Sequence, residues 1–241
     1  MNKLIIYSFA LTLTTLINPL LKASEASENA HQGNFVADSH MASAPEENSR
    51  EIILEQAQNT ISHFKSIAEK DNDKEALFSL GKFYRDNVLE ITSSQSYAEA
   101  IYWFRLAAAQ GEVLALHEAG VMYQSLKFKI PKLDSYKEAI KYFERAVLKG
   151  HQDSKWELGK TYLAIHSELF NNELKQSGKR YYDLGSLNSA IYWFKQLADT
   201  GDSEACYELG IIYKHYKCGI LDELADKEAD KWFTLAAAYK Q

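Results

Sequence analysis

The chain has 241 residues, of which 25% are charged and 46% hydrophobic, and its net charge is −6. Acidic and basic side chains are mixed along its length. There is no basic stripe of the kind that neutralises phosphates, so nucleic acid is not an expected partner.

The first residues read as a secretory leader. Lys3 precedes a charge-free, largely apolar run from Leu4 to Leu21, and Ser24-Glu25-Ala26 fits a small-x-small cleavage site. This predicts a signal peptide over 1–26 and a periplasmic or secreted protein. An uncleaved membrane anchor is the rival reading, because a bilayer span needs roughly 17–25 apolar residues. Pro19 and the polar Ser8, Thr12, Thr14, Thr15 and Asn18 weigh against it. No stable membrane insertion is expected once the leader is removed. Residues 27–46 lack apolar periodicity and are expected to form a disordered linker.

From residue 73 onward one pattern recurs. Ala76, Leu80, Gly81 and Tyr84 return 39 residues later as Ala115, Ala119, Gly120 and Tyr123, then as Ser154, Leu158, Gly159 and Tyr162. A fourth copy is Ala205, Leu209, Gly210 and Tyr213. Each is followed by a second block: Ala100, Trp103, Phe104 and Ala107; Ala139, Tyr142, Phe143 and Ala146; Ala190, Trp193, Phe194 and Leu197; Ala229, Trp232, Phe233 and Ala236. A fixed period of this length is the signature of stacked repeat units. Small and apolar residues at i, i+4, i+5 and i+8 line one helical face, so each copy is a pair of helices.

The glycine of each first block is expected to let the paired helix approach closely, at a cost of about 1 kcal/mol in helix propensity. Gly111, Gly150 and Gly201 fall between a second-block helix and the next first-block helix, where a left-handed C-cap is wanted. Asn72 takes that place one period earlier. Shifting the second block back by one period puts Ile61 on Ala100, Phe64 on Trp103 and Ala68 on Ala107. Residues 47–72 therefore read as an N-terminal helix capping the open end of the array.

The pattern Ala-x-x-x-Leu-Gly-x-x-Tyr, a loop, then Ala-x-x-Trp/Tyr-Phe-x-x-Ala-Ala-x-x-Gly resembles the Sel1-like repeat, a relative of the tetratricopeptide repeat. The resemblance implies an all-α, right-handed superhelical solenoid of four helix pairs plus the capping helix. The repeats would be 73–111, 112–150, 151–201 and 202–241. Two departures stand out. The family's Gly-x-Gly-Val turn is missing from repeats 1 and 2 and reduced to Gly219 in repeat 4. The third repeat carries 12 extra residues within 164–188, which extend a helix or form a protruding loop. Some secreted members of the family join the two helices of each repeat by a cysteine pair. Here the slot opposite Cys206 holds Ala236 or Ala237, and mostly helical chain separates Cys206 from Cys218. Two free thiols are expected, with Cys206 buried.

No constellation for catalysis is legible. The seven histidines show no i, i+4 pairing and no ligand frame for a metal, and no phosphate loop or nucleophile signature is present. No catalytic residue, metal or cofactor is assigned, and an enzyme is not expected. The candidate binding surface comes from repeat geometry. Residues two after the repeat alanine are expected to point away from the paired helix: Phe78, His117, Trp156 and Tyr207. One turn on, the same face carries Lys82, Val121, Lys160 and Ile211, then Arg85, Gln124, Leu163 and Lys214. By resemblance to tetratricopeptide arrays this face lines a concave groove for a protein partner. Packing between first helices is the competing reading of the aromatic positions. The function expected is an exported protein-interaction module or scaffold, and in a sharper form an immunity or inhibitor protein blocking an envelope-acting enzyme or toxin. A weak cell-wall-directed hydrolase and a passive spacer are the alternatives.

Overall fold

The computed structural model describes residues 73–86, 93–125, 130–177, 183–216 and 220–240, with single positions between Glu55 and Lys70. The leader, the linker, Asn72 and Cys218 lie outside the described residues. Eight helices can be bounded: α1 Lys74–Arg85, α2 Ser93–Ala109, α3 Val113–Gln124, α4 Lys132–Leu148, α5 Asp153–Ser177, α6 Leu184–Ala198, α7 Ser203–Tyr216 and α8 Asp222–Tyr239. No strand occurs among the described residues, and the fold is an α-solenoid of helix pairs. None of the described helices is long and apolar enough to cross a membrane. The chain divides into two compact units at Gln110 and Gly111.

In the first unit α1 packs along α2. The described positions between 55 and 70 are all helical. Ile61 and Ala68 are buried, as are Ala100 and Ala107 one period later. Lys65 lies 3.3 Å from Glu99 and 4.8 Å above the ring of Tyr84, which ties this segment to both α1 and α2. In the second unit each helix from α3 to α8 packs on the next in the chain, and α3 also touches α5.

One rule of packing explains the pairs. A Cβ on the first-block glycine would collide with the second-block phenylalanine of the same repeat: Gly120 with Phe143, Gly159 with Phe194 and Gly210 with Phe233, at 2.5, 2.7 and 2.5 Å. Gly81 and Phe104 form the same pair in the first unit. The glycine leaves a socket and the phenylalanine fills it. Phe104, Phe143 and Phe194 are fully buried there, each contributing about 1.5–3 kcal/mol of apolar burial.

The turns between repeats follow from a glycine and, at two of the three, an acid after it. Gly111, Gly150 and Gly201 have φ of 86°, 92° and 88°. His151 N–H donates to the Ala146 carbonyl at 3.0 Å and Gly150 N–H to that of Val147 at 2.9 Å, the paired bonds of a helix end closed by a left-handed residue. The next residue then starts the following helix. Glu112 accepts from Leu114 N–H, and Asp202 from Ala205 N–H. Asp73 caps α1 in the same manner.

The third-repeat insertion lengthens a helix. The first helix of repeat 3, α5, runs 25 residues against 12 for α3. The imidazole of its buried His166 lies 3.0 Å from the carbonyl oxygen of Asp183, the residue whose side chain caps α6. The extension is thereby held to the start of its own partner helix.

Candidate functional site

The aromatic row built from the repeat positions does not point away from the paired helices. Phe78 meets Phe104 at 5.7 Å, His117 meets Phe143 at 5.7 Å, Trp156 meets Phe194 at 5.2 Å and Tyr207 meets Phe233 at 5.5 Å. Each rests on the phenylalanine that fills the glycine socket of its own repeat. The reason is geometric. Each of these residues lies three positions before the socket glycine, on the same helical face, so its side chain meets the ring that fills the socket. These residues therefore pack with one face and offer the other, and Tyr207 remains 51% exposed.

The second and third turns of the proposed face divide in the same way. Val121 and Leu163 are partly buried against core clusters. Gln124 donates to Thr161 Oγ1 at 3.0 Å and so joins α3 to α5. Lys160 pairs with Glu157 at 3.1 Å, and Lys214 with Asp226 at 3.0 Å. Ile211 is half-buried on α7. In the first unit Lys82 stands 5.9 Å over the Phe78 ring and Arg85 pairs with Asp86 at 2.9 Å.

Two further arrangements lie between neighbouring repeats within the second unit. In the first, Ser154 Oγ lies 3.0 Å from Nδ1 of His117 on α3 and 3.0 Å from Nδ1 of His151 in the turn before α5. The two rings are 4.5 Å apart. The hydroxyl, with one donor and two acceptor positions, serves both imidazoles. Ser154 is fully buried, so no substrate reaches its hydroxyl, and the cluster is a bolt between repeats. Burial and the neighbouring His151 hold the His117 pKa below the ordinary imidazole value, against the opposing pull of Glu118, Glu157 and Asp153.

In the second arrangement, a cavity of about 260 Å³ opens between α5 and α7, lined by Trp156, Glu204, Tyr207, Glu208 and Lys240. The row thus brings Trp156 and Tyr207 together across adjacent repeats. The carboxylates beside them were not among the residues singled out by sequence. Their signal is the i, i+4 spacing that puts Glu204 and Glu208 on either side of Tyr207, and acids at that spacing are ordinary on any solvated helix. Burial, then repulsion from Glu204, raises the Glu208 carboxyl above the usual range, with Lys160 acting in the other direction. Among the described residues no group of three or more histidine, cysteine or acidic side chains is placed to hold a metal. Cys206 is a free, buried thiol.

Sequence also passed over a pair of hydroxyl ties. Ser96 Oγ donates to the Tyr84 carbonyl, and Ser135 Oγ to that of Tyr123 at 2.6 Å. Each closes its helix pair at the loop end. A serine four residues before the second-block alanine was the available signal.

Helix pairs that repeat, socket by socket, define an α-solenoid interaction scaffold. A family model for the Sel1 repeat matches residues 74–112, 113–151, 181–202 and 203–238, more than half of the chain, and the protein belongs to the Sel1 repeat family. Sel1 repeats generally mediate protein–protein interaction. Among solved structures, the chain is similar to a Sel1 repeat protein from Oxalobacter formigenes, at 28% identity with a TM-score of 0.43, over 75% of this chain and 64% of that one. It is also similar to a protective antigen of uropathogenic Escherichia coli strains that displays an SLR fold, at 21% identity with a TM-score of 0.46, over 76% of this chain and 34% of that one. The chain thus spans less than two thirds of the length of either. No curated protein matches it.

Proposed function

We propose that the protein is an exported, non-catalytic interaction module that holds a protein partner against the first-helix face of its second unit. The observation that carries this reading is the cavity that Trp156 and the half-exposed Tyr207 line together from two adjacent repeats, beside two carboxylates. Large aromatic side chains set among charged groups are what protein interfaces use as anchors. The leader-like Lys3 and Leu4–Leu21 segment supports a periplasmic or secreted location. Inhibition of an envelope-acting enzyme or toxin is the sharper form of this reading: a rigid repeat array that carries no recognisable catalytic set acts on such a partner by occupying it.

In-cell crosslinking and capture of the full chain tests the proposal, comparing wild type with Tyr207→Ala plus Lys160→Glu. Both positions are exposed, so the variant keeps its core. One protein recovered stoichiometrically with wild type and lost with the variant is the expected result. Recovery unchanged by the substitutions, or no partner at all, overturns it.

A further inference from the structure

The cavity between α5 and α7 has the chemistry of a receptor for a single cationic side chain. At about 260 Å³ it falls just below drug-sized pockets, which run to roughly 300–1,000 Å³. Two aromatic side chains, Trp156 and Tyr207, are among its lining, and aromatic rings carry negative potential on their faces. Its polar side is formed by Glu204 and Glu208, one helical turn apart on α7. Among the described residues neither carboxylate makes an ion pair or a side-chain hydrogen bond. The ammonium group of Lys160 is committed to Glu157 at 3.1 Å, and the exposed Lys240 completes the lining without closing an ion pair. Half-buried Glu208 is thus under-compensated, which its upward-shifted carboxyl reflects. A cation entering here would meet two carboxylates and two aromatic side chains, against the single positive charge of Lys240 in the lining.

We propose that this pocket takes an arginine side chain of the protein partner, stacked between Trp156 and Tyr207 and paired with Glu204 and Glu208. Arginine suits it better than lysine. The guanidinium is planar, stacks on aromatic faces, is weakly hydrated and can meet two carboxylates through its fork of N–H donors. The inference rests on the partner-binding reading above and specifies what the partner must present.

The test uses the full chain and the probe acetyl-Gly-Arg-Gly-amide at millimolar concentration, followed by the Trp156 indole N–H resonance, assigned with Trp156→Phe. The citrulline peptide, which keeps the shape and loses the charge, and the lysine peptide are the controls. Expected are a saturable shift at the Trp156 indole and binding about tenfold weaker for citrulline. Lysine should be weaker than arginine, and a comparable loss should follow Glu204→Gln plus Glu208→Gln. Those substitutions keep the side-chain shape on partly exposed positions, so the fold is preserved. Equal binding of the citrulline peptide, full affinity in the double variant, or no shift at Trp156 overturns the assignment. Lysine binding as tightly as arginine overturns the guanidinium specificity. A partner captured through the face but indifferent to both glutamates refutes the arginine pocket alone. A pocket that selects arginine while no partner is captured refutes the interaction reading alone.

Discussion

The Cβ that Gly120 lacks would lie 2.5 Å from Cε1 of Phe143. Phe143 is fully buried and its ring belongs to the core of the repeat, so it cannot swing aside as a surface side chain would. Alanine at Gly120 would gain about 1 kcal/mol of helix propensity, but overpacking of this kind costs about 1–3 kcal/mol. Gly120→Ala is therefore expected to lower the urea midpoint of unfolding. Phe143→Leu in the same chain should recover part of that loss. If Gly120→Ala raises the midpoint, the socket is not the reason for the glycine.

Gly150 makes the opposite case. A Cβ there meets nothing, yet its φ is 92°. The cost of Gly150→Ala is then backbone strain alone, about 1–2 kcal/mol, and no second-site truncation should relieve it. Gly150→Asn should cost less than Gly150→Ala in the same denaturation series, because asparagine tolerates the left-handed region.

The His117, Ser154 and His151 cluster makes stability depend on pH. Burial and His151 lower the His117 pKa in the folded chain, so the unfolded chain binds the proton more readily. Its contribution is present above the unfolded value of about 6.5 and is lost as pH falls through that value toward the lower folded one. Thermal melts should show a fall in Tm between neutral and mildly acid pH. His117→Asn, which has no titrating group, should flatten that slope. A slope unchanged in the variant would place the dependence elsewhere.

Ser135 Oγ donates to the Tyr123 carbonyl from a buried position. Ser135→Ala removes the donor and with it one hydrogen bond between the paired helices, at a cost of about 0.5–1.5 kcal/mol. Equilibrium unfolding should show that loss. Ser96→Ala should show a loss of similar size in the first unit, where Ser96 ties to Tyr84 in the same way.

Cys206 is fully buried, and burial raises its thiol pKa, with Asp202 and Asp199 adding to the effect. In a Cys218→Ser chain, a thiol reagent such as DTNB should react only as fast as the fold opens, and at full speed in denaturant. Rapid labelling of the native variant would contradict the burial.

Much of the architecture was legible before any coordinates. The glycines at 81, 120, 159 and 210, the aromatic pairs that follow them, and the cap glycines at 111, 150 and 201 each answer a local requirement, of close approach, filling or a positive φ. Local requirements of that kind recur at a fixed spacing, and a spacing can be read along a chain. The orientation of the aromatic row was not legible. Its residues were expected to point away from the paired helix, yet Trp156 and Tyr207 lie on Phe194 and Phe233. Periodicity assigns a residue to a helical face but says nothing about which neighbour its ring meets.

The sequence by itself determined the helical repeat, its period and its family, because every copy restates the same packing problem with the same small set of residues. Only the tertiary structure decided how α5 and α7 face each other, and so brought Trp156 beside Glu204 and Glu208 from residues 48 and 52 positions further along the chain. It also showed His117, His151 and Ser154 to be one cluster. Both arrangements depend on helices from successive repeats settling against each other. That geometry is set by the summed volumes of buried side chains, which no local pattern encodes.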